Sequence, residues 1–378
     1  MLDVYIIGGG ASGMFAAIKA AKNGHNVTIL EKNFRLGKKI LVTGNGRCNL
    51  GNTSDITNIT YNNSFAKDII IRSREEMQNI LVESGLMVYS DNEGRIYPLS
   101  DSANTVLDCL RFHCYSYGIN ILTDIFITGL EYKNNKIRII SKNNEFIADK
   151  VILAIGGKAQ NSEYNLLSLI DSIFVTSLYP ALTYIVTEPL LKSISGIRLK
   201  CVSKLLKNNK LIYTEKGEVQ FKDNGIGGIC IMNISSLVNR DHDNIKSYEI
   251  SLDLMPQYME SDIEILLLNR KKTLGTNYMT GIFHNKIGEI LIKLSNSDMH
   301  ALAHIIKDFR FKIKGMGDFN HCQVMSGGIK ISEPNDNLRL KHIDNLYACG
   351  EVIDVDGLCG GYNLQWAFCS GIIAGELK

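Results

Sequence analysis

Val4-Tyr5-Ile6-Ile7-Gly8-Gly9-Gly10-Ala11-Ser12-Gly13-Met14 opens the chain, and Val27-Thr28-Ile29-Leu30-Glu31 follows after a polar break. Residues 4–7 and 27–31 are apolar and rich in β-branched side chains, as strands are, and residues 14–23 between them carry helical spacing. Strand, glycine turn, helix and strand make one complete βαβ unit, so the fold is α/β with a parallel sheet. Gly8, Gly10 and Gly13 stand in Gly-x-Gly-x-x-Gly order between strand and helix. Gly8 allows the tight turn, Gly10 lets backbone approach a pyrophosphate, and Gly13 brings helix and strand close. The helix start at Ala11 and Ser12 supplies N–H donors and positive potential. Glu31 ends the next strand 18 residues after Gly13, placed to accept hydrogen bonds from an adenosine ribose, with Lys32 beside it. A glycine cluster alone is a common turn; its setting makes it a dinucleotide site.

The far end of the chain decides which dinucleotide. Leu346-Tyr347-Ala348-Cys349-Gly350-Glu351 is a strand running into a second glycine turn, which a single nicotinamide-binding domain does not need. In an FAD fold the acid at such a turn, here Glu351, meets ribityl or pyrophosphate oxygens. Gly360-Gly361-Tyr362-Asn363-Leu364 then opens a last helix, whose positive end near the flavin ring would stabilise the anionic reduced state. FAD is therefore the expected cofactor.

The remaining sequence bounds the setting. With 378 residues, 45% hydrophobic and 21% charged, the chain exceeds one small core and suggests two or three domains of a soluble globular protein. No apolar run approaches the roughly 20 residues that span a bilayer, and no export signal precedes residue 4, so a cytoplasmic protein without membrane contact is expected. Nine cysteines lie scattered without a Cys-x-x-Cys pair, which fits reduced thiols, no bound metal and no disulfide-reductase chemistry. The net charge of +2 excludes little.

Helical stretches follow at 66–84 and 102–117, then short strands at 120–123, 127–132, 136–141 and 151–155. From about residue 182 the pattern turns to short alternating strands at 184–187, 198–205, 210–214 and 217–221, as in a small β-barrel. After Pro256 it becomes helical at 262–272, 285–293 and 297–306, and from Cys322 it returns to strands and glycine turns. The expected organisation is a discontinuous FAD-binding domain, residues 1–182 with 322–378, interrupted by a β-barrel part at 183–256 and a helical part at 257–321.

Longer strings sharpen this. Gly37-Lys38-Lys39-Ile40, Thr43-Gly44-Asn45-Gly46-Arg47-Cys48-Asn49, Pro180-Ala181-Leu182, Ser326-Gly327-Gly328, and Gly350-Glu351-Val352-Ile353-Asp354-Val355-Asp356-Gly357 with Gly360-Gly361-Tyr362-Asn363-Leu364-Gln365-Trp366-Ala367 resemble the BaiN/RdsA family of flavoproteins, also called aminoacetone-oxidase-like. The resemblance spans nearly the whole chain and implies a two-dinucleotide-type FAD domain with a barrel and three-helix insert. It implies that Lys38, Thr43, Gly44, Gly46, Arg47, Cys48 and Asn49 wrap FAD between pyrophosphate and ring. It also places Ile127 at the adenine through its backbone, and Ala154, Gly156 and Gly157 at a second crossing near the adenosine. Cys322 and Cys359 depart from the small residues usual in relatives, and the insert is short, which leaves the substrate open.

Flavin does the redox work and the protein supplies position, electrostatics and a proton donor. Cys48, in a loop against the expected flavin, and Tyr362, at the ring edge, are the candidate donors; each also has a packing explanation. No second nucleotide turn lies in the insert, so NAD(P)H is expected as a transient reductant. Residues 190–320 hold fifteen Lys and four Arg against fourteen Asp and Glu, an excess of five positive charges. Lys200, Lys204, Lys207 and Lys210, then Arg270-Lys271-Lys272, then Arg310, Lys312 and Lys314 form clusters that suit a solvated surface or RNA phosphates. The family resemblance implies three activities: reduction of a conjugated C=C in a 3-oxo steroid, reduction of uracil to dihydrouracil in ribosomal RNA, and oxidation of a small aminoketone. The expected function is ene-reduction next to a carbonyl, with ribosomal RNA uracil ahead of a small enone because of the basic insert. The alternatives are a peroxide-forming oxidase of a small amine and a flavin-binding, ribosome-associated protein without turnover.

Overall fold

The computed structural model describes residues 1–161 and 163–378, which divide into two compact units: Met1–Tyr179 with Val324–Lys378, and Pro180–Gln323. The first is built on a five-stranded parallel sheet in the order Leu346–Ala348, Lys150–Leu153, Asp3–Ile7, Asn26–Leu30, Asn120–Leu122. These strands are nearly continuous apolar runs because both faces are covered; Val4, Ile6, Ile29, Val151, Ile152 and Leu346 are almost fully buried. The first strand is central, and the chain winds outward from it on either side. Its carboxyl end is thus the switch point at which open α/β sheets leave a crevice.

Helix Ala11–Lys22 packs against the closing helix Tyr362–Gly375, joining the two ends of the sequence. Phe15 stacks on Phe368 with centroids 4.3 Å apart. A side chain at Gly371 would come within 2.4 Å of the Ser12 carbonyl, so only glycine permits this approach. A three-stranded meander, Ile127–Lys133, Lys136–Ser141 and Glu145–Ala148, and a small sheet of Gly51–Asn52, Val88–Ser90 and Arg95–Pro98 complete the unit.

The second unit is a closed six-stranded barrel in the order Ile185–Glu188, Gly225–Gly227, Lys210–Lys222, Arg198–Lys207, Tyr248–Asp253, Phe309–Met316. Helix Ile229–Asn239 packs on it through Cys230, Ile231, Ile234 and Val238, and three helices, Glu260–Leu274, Asn285–Leu294 and Met299–Lys307, follow. Two differences from the sequence expectation stand out. Residues 210–214 and 217–221 form one 13-residue strand through Gly217 rather than two. Residues 309–316, expected within the helical part, return as the strand that closes the barrel. Phe309, Phe311 and Ile313 point inward, while Arg310, Lys312 and Lys314 point out.

Candidate functional site

The two glycine turns meet at the carboxyl edge of the parallel sheet. The Ser12 hydroxyl donates to the Cys349 carbonyl at 3.4 Å, and a side chain at Gly350 would approach Ser12 Oγ to 2.5 Å. Trp366 Nε1 donates to the Gly350 carbonyl at 3.1 Å, and the Gly350 amide donates to Ser370 Oγ at 2.9 Å. The second turn is therefore held between the opening and closing helices.

The first turn is tight on one side and open on the other. A Cβ at Gly8 would lie 2.4 Å from the Ala154 carbonyl and one at Gly13 only 1.9 Å from that of Gly8, whereas one at Gly10 would meet no protein atom within 4 Å. The amides of residues 11–13 precede the first intrahelical bond, from Met14 N to the Gly10 carbonyl at 3.0 Å, and no side chain caps them. The closing helix likewise starts without a side-chain cap or an acidic residue in its first turn. These are the places where an anionic group would gain donors.

Glu31 is buried, and both its oxygens are engaged: Oε2 accepts the Gly9 amide at 2.7 Å, and Oε1 accepts the Asn33 amide at 2.8 Å and its side chain at 2.5 Å. Oε2 keeps a second lone pair for a ligand. Glu351 Oε1 accepts the Met325 amide at 2.8 Å, its Oε2 pairs with Lys39 at 2.6 Å, and Lys38 and Lys39 are both exposed. The Tyr164 hydroxyl is buried with no hydrogen-bond partner among the described residues; burial and the neighbouring Glu351 charge push its pKa up. A buried donor with no acceptor among the described residues, and a backbone cradle that a Cβ at Gly10 would fill, fit a polar dinucleotide such as FAD.

The other expected residues are placed as follows. Thr43 donates to the Ile40 carbonyl at 2.7 Å, in a loop where Gly44 and Gly46 take left-handed φ of 57° and 84°. Arg47 is exposed and lies over the Tyr97 ring, 4.5 Å from its centroid. Asn49, with its amide oriented to satisfy both ends, donates to the Gly51 carbonyl at 2.9 Å and accepts the Gly361 amide at 3.0 Å. Asn363 clamps Gly357 through both ends of its amide, at 2.9 and 2.8 Å, and Leu364 packs against the core. Lys32 donates to Asn161 at 2.6 Å, and the Ile127 carbonyl accepts from Asn165 at 2.7 Å. Gly156 has open space where a side chain would go, while Gly157 closes on Glu351.

The candidate proton donors differ in setting. Cys48 is fully buried at a left-handed φ of 61°, and burial pushes its thiol up to about 11. Tyr362 is half-buried; its ring meets Tyr61 edge-on at 6.0 Å, its carbonyl accepts the Tyr61 hydroxyl at 2.9 Å, and burial raises its own hydroxyl. Lys39, Tyr61 and Tyr164 are absent from the sequence expectations. Only Lys39 stands in a quoted string, and its pairing with Glu351 has no sequence signal.

Many residues of the basic clusters serve the fold. Arg270 donates to the carbonyls of Tyr278 and Thr280 at 2.7 and 2.5 Å, Arg310 pairs with Asp308 and Glu249, Lys314 with Glu188, and Lys207 with Asp241. Lys200 and Lys204, at alternate positions of one strand, and Lys216, opposite Val202 on the next, share the outer face and have no ion pair among the described residues.

The chain matches the family model described as HI0933-like protein Rossmann domain over residues 2–377. It is similar to the 3-dehydro-bile acid delta(4,6)-reductase of Clostridium scindens, with 31% identity covering 100% of this chain and 98% of that protein. It is also similar to the ribosomal RNA dihydrouridine synthase of Haemophilus influenzae, with 26% identity covering 97% of this chain and 95% of that protein. Among solved structures, the 3-ketosteroid-delta4-(5alpha)-dehydrogenase from Rhodococcus jostii RHA1 shares the fold, with a TM-score of 0.51 at 14% identity over 99% of this chain and 96% of that one.

Proposed function

The chain belongs to the HI0933-like Rossmann family, and from that premise we propose that it is an FAD-dependent oxidoreductase reducing a C=C conjugated to a carbonyl, with electrons from NAD(P)H. The observation that carries the reading is the junction of the two glycine turns at Ser12, Cys349 and Gly350, with an open cradle at Gly10. FAD, when bound, supplies hydride transfer. The amides of residues 11–13 hold the pyrophosphate, Glu31 the ribose, and the start of the closing helix the electron-rich edge of the flavin. Tyr362 is the proton donor in this reading: its raised pKa keeps the hydroxyl protonated at neutral pH, and its half-buried position leaves it open to a substrate carbon. Cys48 has no exposure and acts in packing.

Uracil in ribosomal RNA is the acceptor proposed first, supported by the outward-facing Lys200, Lys204 and Lys216 of the barrel and by the name of the Haemophilus influenzae relative. A small enone is the second, favoured by the more similar Clostridium scindens reductase. Dihydrouridine content of ribosomal RNA with and without the gene separates them, alongside anaerobic NAD(P)H turnover of the purified protein on a 3-oxo-4-ene steroid. Dihydrouridine lost on deletion supports the RNA acceptor; unchanged dihydrouridine with steroid turnover supports the enone. Peroxide formation from a small amine, with neither ene activity, overturns the reading.

A further inference from the structure

The nine cysteines show no pairing motif along the sequence, yet the barrel unit brings two of them together. Cys201 faces inward on strand Arg198–Lys207, with Gly217 as its cross-strand partner. Cys230 lies in the first turn of helix Ile229–Asn239 and sits directly over Gly217: a Cβ there would come 3.1 Å from Cys230 Cβ and 3.6 Å from its sulfur. The missing side chain is what lets Cys230 settle on the ladder beside Cys201, with its sulfur donating to the Glu218 carbonyl at 3.3 Å. Both are buried, and the strand carrying Cys201 borders a cavity of about 380 Å³ lined with Lys200, Lys216, Leu254, Pro256 and Gln257.

We propose that Cys201 and Cys230 are a reversible redox pair that closes to a disulfide under hydrogen peroxide and tethers the barrel strand to the helix. Cys230 is the attacking thiol. It stands at a helix N-terminus, and the neighbouring Cys201 thiol lowers its pKa, while that of Cys201 is pushed up. The Cys230 thiolate attacks peroxide, giving a sulfenic acid and hydroxide, and the Cys201 thiol then displaces the sulfenic oxygen. Two thiols lose two electrons and two protons, one peroxide gains both, and two waters leave. A dithiol reverses the step by exchange. The inference is independent of the flavin reading.

The test takes the intact protein, fully reduced and freed of reductant, through a peroxide titration, a catalase quench, unfolding in iodoacetamide and tryptic mapping without reduction. Peptides 201–204 and 223–240 should be recovered as one cross-linked species short of two hydrogens, and dithiothreitol should separate them. In Cys201→Ser, dimedone should label Cys230. Recovery of both peptides singly alkylated, at peroxide levels that already modify the half-buried Cys109 or Cys359, overturns the pair. A Cys201→Ser protein that folds but takes no dimedone at Cys230 overturns the attack order; the wild-type map stands whether or not that variant folds.

Discussion

At Glu31 both carboxylate oxygens already accept protein N–H groups, so removing the side chain reaches the fold as well as the ligand. Glu31→Ala leaves the buried Gly9 amide unpaired at a cost of about 1 to 3 kcal/mol. It should also weaken FAD binding by roughly 10- to 150-fold through lost charge-assisted hydrogen bonds. Urea denaturation and flavin titration check the two effects; unchanged affinity would remove Glu31 from the site. Cys48 makes a pH-dependent prediction. Its thiol rises from 9.0 to about 11 in the fold, so the protonated form is favoured there; its contribution is intact below about pH 9 and is lost as pH climbs through about 11. Iodoacetamide at pH 8 should leave Cys48 unmodified in the folded protein, and Cys48→Ala should flatten the stability loss between pH 9 and 11. Tyr362→Phe should instead leave flavin binding intact and slow acceptor reduction by roughly 10² to 10⁴. Equal rates would take Tyr362 out of the chemistry.

Helix Ala11–Lys22 and the closing helix approach closely because Gly371 has no side chain, so the element-scale test is Gly371→Ala. Its methyl meets backbone rather than a flexible side chain, and overpacking of this kind costs about 1 to 3 kcal/mol. Because the same contact touches Ser12, FAD affinity should fall with stability, both read from denaturant midpoints and flavin titration. Gly315→Ala, where nothing lies within 4 Å, is the neutral control. Elements were legible in the sequence where their signal is local. The opening βαβ unit and helices 260–274, 285–294 and 299–307 follow from spacing that neighbouring residues carry themselves. The strands expected at 210–214 and 217–221 are one through Gly217, which in the fold makes room for Cys230, a tertiary reason with no local trace. Strand Phe309–Met316 did carry period-2 alternation, but its outward Arg310, Lys312 and Lys314 read as a charge cluster. Helix Ile229–Asn239 is buried nearly all round, its Asn233, Ser235, Ser236 and Asn239 included, and so shows no amphipathic stripe to find.

For the whole molecule, the α/β class was legible because two glycine turns 340 residues apart are one site only in a doubly wound fold. What stayed hidden was which charged residues the fold would use for itself. Arg270, outwardly part of a phosphate-binding cluster, holds the turn at Tyr278 and Thr280, so reversing it would test folding rather than RNA binding. The cleaner variant is the triple reversal of Lys200, Lys204 and Lys216 to Glu. If these lysines track phosphates, ribosomal RNA affinity should drop while flavin spectra hold, and the logarithmic salt slope should shrink by roughly 0.7 to 0.9 per lost contact. Identical affinity would return the face to solvent. The central claim, that the joined glycine turns hold FAD, is tested most directly at Gly10, whose backbone φ of −80° accepts alanine and whose missing side chain faces open space. Purified wild-type protein should bind about one FAD per chain, while Gly10→Ala should keep the same thermal midpoint and lose the flavin, because its methyl occupies the place of the pyrophosphate. Wild-type protein that cannot be reconstituted with FAD, or a Gly10→Ala variant that binds it equally well, would contradict the account.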